Sequence, residues 1–290
     1  MDIIKIILNA RPNLKPQSAN TYLSNLRRIA GTRDIEDMRF LTEPDEIFKR
    51  MDGMKLTMKR NILSSILVLL SALHDSSKEL YTIYSDKLLQ FSNEYKREMN
   101  KNEKTETQKE NWTSIDVLSN ITKKMLKDNP GSQNSLIGAL YTMQPPQRLD
   151  YYDMEIVGPK DELKENKNYL VIGKRNKKTF VFNDYKSSNK YNTVKIPVNK
   201  KINSVINKFL KLNPDRKYLL VNKQGDPMTR NNLGKQITKI FASTGKHIKL
   251  NLIRHMYVSE NIDLGIAKKN QDISQQMMHS PSIQLEYAKN

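Results

Sequence analysis

Apolar residues recur at helical spacing through the first hundred positions. In the stretch 18–30, Tyr22, Leu23, Leu26 and Ile29 fall near one face, while Asn20, Asn25, Arg27 and Arg28 fall largely on others. This is the pattern of an amphipathic helix, with Ser18 as its expected N-cap. The same reading places helices from about Pro44 to Met51, from Lys55 to His74 and from Tyr81 to about Asn100. The most apolar run, Ile62 to Leu73, contains Ser64, Ser65 and Ser71 and falls short of a bilayer span, so it predicts a buried core helix. From Lys101 to Glu110 no apolar residue occurs. That stretch cannot bury a face, and it predicts a boundary between a helical domain, 1–110, and a second domain, 111–290.

The second half changes period. Helices are predicted from Ser114 to Lys127, with Trp112 just before, and from Ser135 to Met143, after which Pro145 and Pro146 stop the helix. Three short runs rich in β-branched and aromatic residues follow, at 169–172, 179–182 and 193–198. Polar stretches at 173–177, which contains Lys174 and Arg175, and at 184–192 separate them. Helices return at 201–212, 229–243, 250–264 and 271–278. The expected fold is mostly α with a small antiparallel β-sheet of three strands, following an all-helical first domain.

Charge narrows the partners. The chain carries a net +18; residues 1–112 hold 19 Lys and Arg against 16 Asp and Glu, and residues 113–290 hold 30 against 15. The second half, at +15, is thus the stronger expected polyanion binder, through phosphate neutralisation and counterion release. A solvated lysine-rich surface is the bland alternative. The absence of cysteine excludes disulfides, thiolate zinc sites and a cysteine nucleophile, and it fits an intracellular protein. The apolar run Ile3 to Leu8 is broken by Lys5 and is too short for a signal peptide. No Gly-rich phosphate loop is present, so no nucleotide is expected. Asp150, Asp153 and Glu155 resemble a carboxylate cluster, but closely spaced acids are more often a solvated surface, and no metal is expected.

The last forty residues carry the candidate chemistry. Arg254-His255 lies on an amphipathic run, Met278-His279-Ser280 follows, and Tyr287 comes last. Arginine offers a planar fork for two phosphate oxygens, and a tyrosine oxygen can attack phosphorus. The segment Asn251-Leu252-Ile253-Arg254-His255 resembles the His-x-x-Arg box of tyrosine recombinases, the phage-integrase family, and Met-His-Ser with Tyr287 resembles that family's closing signature. The likeness spans most of the chain and is clearest from Arg148 onward, where Pro145-Pro146-Gln147-Arg148 with Asp150 and Asp153 resembles the approach seen in viral and virophage integrases.

The resemblance implies roles for six residues. Tyr287 would attack the scissile phosphate to form a 3′-phosphotyrosine, with Arg148 and Arg254 holding the non-bridging oxygens and His279 and Asn251 assisting. Lys186, with Lys190 as second choice, would protonate the leaving 5′ oxygen. An arginine merely paired to Asp150 or Asp153 is the bland reading of Arg148. The sequence departs from the family at Asn251, where histidine is usual, and in the His279–Tyr287 spacing, shorter by one. His255 is expected to be a core histidine, and Tyr257 to lie on the core face of the same helix. Duplex DNA is the implied partner, with a tetramer formed on DNA, no cofactor and no membrane. Asn25, Arg27, Arg28, Lys59, Arg60, Lys174 and Arg175 are the expected DNA contacts, and the first domain is the expected clamp. A type IB topoisomerase and a non-cleaving DNA-binding protein on the same scaffold are the alternatives. Only Ala288, Lys289 and Asn290 follow Tyr287, which predicts a free protomer that is monomeric until it meets DNA.

Overall fold

The computed structural model describes residues 2–73 and 78–287, apart from the side chains of Leu285 and Glu286. The chain forms two compact units that part between Glu103 and Lys104. The expected boundary at 110/111 falls a helix later, because the charged stretch is itself helical. Thr105 accepts from the Gln108 backbone while Gln108 reaches back to Thr105, a capping box that starts a short helix in a segment with no apolar face.

The first unit is helical throughout: α1 (Ile3–Ala10), α2 (Pro16–Ala30), α3 (Pro44–Arg50), α4 (Leu56–Ala72) and α5 (Lys78–Asn100). α1 is not among the sequence expectations; its Ile3 and Ile7 enter the core, and Asp2 caps it by accepting from the Lys5 backbone. α2 begins at Pro16 rather than after Ser18, since proline is preformed for the first helical turn. α4 is the central element, with Ile62, Leu63, Ser65 and every residue from Ile66 to Leu70 buried. A helix buried nearly all round needs apolar residues on every face, and the run at 62–70 supplies them. The expected end of this helix at His74 lies outside the described residues.

The second unit holds α6 (Glu106–Asn111), α7 (Ile115–Asp128) and α8 (Gln133–Thr142), then the sheet. Its strands are β1 (Glu155–Val157), β2 (Tyr169–Ile172), β3 (Lys178–Phe182) and β4 (Val194–Pro197), in that spatial order. The class is mostly α with a small sheet, but the sheet is four-stranded and mixed rather than three-stranded and antiparallel. β2, β3 and β4 pair antiparallel with Leu170 opposite Phe180 and Phe180 opposite Ile196, whereas β1 runs parallel to β2. The long connection 158–168 carries the chain back to the starting end, as a parallel pair requires. α9 (Ser188–Tyr191) is a single turn inside the β3–β4 connection, where only a polar stretch was expected.

α10 (Lys200–Leu212), α11 (Arg230–Ile240), α12 (Leu250–Asn261), α13 (Leu264–Gln276) and α14 (Pro281–Tyr287) complete the unit. The expected continuous helix 250–264 ends at Asn261, because Asp263 accepts from the Gly265 and Ile266 backbones and starts α13 there, ahead of the expected start at 271. The core joins α7, α8, α10, α11 and α12 to the sheet around Tyr151, whose ring meets Phe180, Phe182 and Tyr141 edge-on at 5.1, 5.6 and 5.8 Å. Burying rings of this size contributes about 1.5–3 kcal/mol each. No helix among the described residues is long and apolar enough to cross a membrane.

Candidate active site

Arg148 lies just past α8, where Pro145 and Pro146 turn the chain away. Its backbone is fixed: the buried Tyr141 hydroxyl donates to the Arg148 carbonyl at 3.0 Å, and burial holds that phenol well above its ordinary pKa, so it remains a donor. The Arg148 side chain is exposed. Among the described residues, no hydrogen bond or ion pair engages its guanidinium, so the bland expectation of a pair with Asp150 or Asp153 is not met. Arg230 occupies that role instead. Its guanidinium stands 3.4 Å from the Asp150 carboxylate and 3.8 Å from that of Asp184, and it lies over the Tyr152 ring at 4.9 Å. Asp150 Oδ1 has this ion pair but no hydrogen bond, and Asp153 Oδ1 is buried without one. Burial pushes both carboxyls above their ordinary range; Arg230 and then Arg148 pull Asp150 part of the way back, and a hydrogen bond with Tyr152, more than Arg230, does so for Asp153.

Lys186 sits in the β3–β4 connection, two residues after Asp184, and its side chain is exposed. That connection is braced: Thr193 donates to the Asn183 side chain at 2.8 Å, and the Tyr185 hydroxyl donates to the Asn192 carbonyl at 2.8 Å. Lys190, the alternative, lies over the Tyr191 ring at 5.2 Å. No hydrogen bond or ion pair among the described residues holds Lys186. The Arg148 and Lys186 segments meet at one side chain, the fully buried Asn168, which bonds to both.

α12 presents Arg254 half-buried between the core residues Ile253 and Met256, with Asn251 exposed one turn earlier. His255 is exposed, which corrects the expectation of a core histidine: the apolar positions 250, 252, 253 and 256 take the buried face, and 255 falls outside it. Tyr257 packs against the core as expected. The Arg254 guanidinium, like that of Arg148, has no hydrogen bond or ion pair among the described residues.

His279 and Tyr287 come together. Met278 turns the chain at φ 57°, a left-handed conformation that costs a non-glycine residue about 1 kcal/mol. The His279 backbone then donates to the Ser274 carbonyl at 3.0 Å, and its ring stands 5.5 Å from that of Tyr287 across the turn before α14. His279 Nδ1 lies 3.1 Å from the Ser280 carbonyl, which can only accept, so Nδ1 carries the hydrogen. In the neutral ring, Nε2 then holds a lone pair, and it is buried with no hydrogen-bond partner among the described residues. Tyr287 is 65% exposed.

The expected DNA contacts divide. Arg27, Arg28, Lys174 and Arg175 are exposed, with Arg175 at the left-handed φ of 54° in the β2–β3 turn. Asn25 is committed to packing: its amide donates to the Asn61 carbonyl and the Ser65 hydroxyl on α4. Lys59 lies over Phe91 and Arg60 over Tyr95, at 5.1 and 4.5 Å. Glu155 pairs with Lys167, apart from the Asp150 ion pair with Arg230, and no group of three His, Asp or Glu side chains among the described residues is placed to hold a metal.

Two residues of the site escaped sequence reading. Arg230 had a usable signal: it occupies the first turn of α11, where a cation opposes the helix dipole and needs nearby carboxylates to settle. Asn168, a lone asparagine before a strand, had none. Neither a protein-family model nor a curated protein matches this chain.

Proposed function

We propose that this chain is a DNA-cleaving and rejoining enzyme of the tyrosine recombinase or integrase type, acting through a 3′-phosphotyrosine. The observation that carries the reading is a contrast among the candidate cations: Arg230 forms ion pairs with the nearby carboxylates, while Arg148, Lys186 and Arg254 make no hydrogen bond or ion pair among the described residues. Unpaired arginine forks in a strongly basic unit suit a dianionic phosphorane-like transition state. The His279–Tyr287 pair supplies the nucleophile and a base.

The steps follow from these groups. The Tyr287 oxygen attacks the scissile phosphorus and yields its proton to His279 Nε2, whose free lone pair suits it to the base role that Asn251 cannot fill. The new bond joins the tyrosine oxygen to phosphorus. The bond from phosphorus to the 5′ oxygen breaks, and Lys186 gives that oxygen a proton. Arg148 and Arg254 hold the two non-bridging oxygens throughout. The phosphotyrosine conserves the bond energy, so attack by a 5′ hydroxyl reverses the steps on the same or another strand. Duplex DNA is the proposed substrate, and protomers would assemble on it. Val258, Ile262, Leu264 and Ile266, all exposed on α12, α13 and the link between them, offer apolar surface for that assembly.

The test is incubation with nicked plasmid in EDTA, followed by denaturation in detergent. A protein–DNA adduct is expected from the wild type and from Tyr257→Phe, and none from Tyr287→Phe, with DNA affinity retained. An adduct from Tyr287→Phe, or none from the wild type, sinks the proposal.

A further inference from the structure

Asn168 precedes β2 and is 1% exposed. A buried primary amide must satisfy two N–H donors and two oxygen lone pairs. All four go to two segments. The amide nitrogen donates to the Asp150 carbonyl at 3.0 Å and to the Asp184 carbonyl at 2.9 Å. The amide oxygen accepts from the Asn183 and Asp184 backbones at 2.9 and 3.0 Å. Asp150 follows Arg148 by two residues, and Asp184 precedes Lys186 by two. The Arg230 guanidinium spans the same pair of segments from the side-chain side, reaching the carboxylates of Asp150 and Asp184.

We propose that Asn168 and Arg230 are positioning residues that fix the Arg148 segment against the Lys186 segment, and so set where the phosphate-binding arginine stands relative to the lysine that protonates the leaving oxygen. The inference rests on the proposed function. Both exposed side chains emerge from segments whose backbones are held at two-residue distance, which confines their roots while leaving their tips free for a ligand. Asn168 ties the two segments through their backbones and Arg230 ties them through the Asp150 and Asp184 carboxylates, so the two ties are chemically independent. Loss of either lets the two cations drift apart without removing a group that touches DNA.

The experiment compares Asn168→Ala and Arg230→Gln with wild type and Lys186→Ala, in duplex binding and in single-turnover adduct formation. It uses a nicked duplex with either oxygen or sulfur at the scissile 5′ bridge. Asn168→Ala is expected to bind within about twofold of wild type and to form adduct at least about tenfold more slowly, the size of penalty that small misplacements bring. Sulfur leaves without a proton, so the sulfur substrate should recover a few-fold of that loss, the share owed to Lys186, while Lys186→Ala should recover nearly all. Adduct at the wild-type rate, equal losses in binding and cleavage, or no recovery with sulfur each overturn the proposal. Where Asn168→Ala does not fold, Arg230→Gln, at a half-exposed position, carries the same three readings, with Arg230→Lys expected to restore part of the rate. A wild type that makes no adduct removes the proposed function and the catalytic half of this inference. Slow hydrogen exchange at the Asn183 and Asp184 amides, lost in Asn168→Ala, then tests the tie itself, and fast exchange in the wild type refutes it.

Discussion

In the first unit Arg60 lies across the Tyr95 ring and donates to the Ser92 hydroxyl, Lys59 lies over Phe91, and Lys87 lies over Phe48 and Phe91. In the second unit Arg148, Lys186 and Arg254 have no such neighbours among the described residues, although the buried Asp150 carboxylate stands close enough to Arg148 to feel its charge. Both units are basic, the second far more so, and they differ further in how individual cations are held. Cations laid on rings bury their stems and add to packing, as Lys104, Arg216 and Lys217 also do in the second unit, while on the proposed function Arg148, Lys186 and Arg254 are left for a phosphate. Two arginines beside Asp150 also differ. Arg230 forms ion pairs with Asp150 and Asp184, while Arg148 acts on Asp150 through its charge without an ion pair or hydrogen bond among the described residues.

The largest effect that would sharpen this contrast comes from the unengaged arginines. Arg148→Lys and Arg254→Lys keep the charge and lose the fork, so single-turnover cleavage should fall about a hundredfold or more while duplex affinity stays within about twofold. Equal losses in both would reduce these residues to general electrostatics. Folding stability should hardly change, because lysine keeps the charge and neither guanidinium makes a hydrogen bond or ion pair among the described residues.

Arg60→Ala and Lys59→Ala should behave in the opposite way. Each removes a ring contact and is expected to cost about 0.5–1 kcal/mol in chemical denaturation, with adduct formation by bound protein unchanged. A cleavage loss without a stability loss would move these side chains from packing to catalysis and break the comparison.

The smallest expected effect is a pH dependence at Arg230. Burial raises the folded-state pKa of Asp150 above its unfolded value, and Arg230 and Arg148 lower it part of the way. A carboxyl raised on folding weakens the fold at pH above its folded pKa, and protonation relieves that penalty as pH falls. Arg230→Gln raises this pKa further. Its stability deficit against wild type should therefore be full above the variant's Asp150 pKa and vanish below the wild-type one. The deficit should be about 1 kcal/mol, since the guanidinium is 43% exposed and water screens the pair. A deficit that grows toward acid pH would contradict the assignment.

Much of the helical framework is legible, because α2, α7 and α10 each carry a continuous apolar face beside a polar one, and α4 an apolar run long enough for a buried helix. β2 was read to the residue from Tyr-Leu-Val-Ile. β1 was not, since its Glu155-Ile156-Val157 is too short for alternation and its pairing depends on a distant strand. The break between α12 and α13 turns on one capping carboxylate, Asp263, inside an otherwise helical pattern. In the proposed site, Arg254, His279 and Tyr287 are suggested by residue type and order alone. The partners that hold the Arg148 and Lys186 segments could not, because Asn168 and Arg230 act across the fold on residues far along the chain. His255 was misplaced inward because the apolar stripe of α12 passes beside it and not through it.

The central claim is that Tyr287 becomes covalently joined to DNA. The most direct measurement traps the adduct on nicked duplex in EDTA, digests the DNA and the protein, and locates the residual nucleotide by peptide mass spectrometry. A phosphonucleotide is expected on the peptide that contains Tyr287, and none when Arg148 is replaced by alanine. A nucleotide on any other residue, or a wild-type protein that binds duplex DNA and carries none, would contradict it.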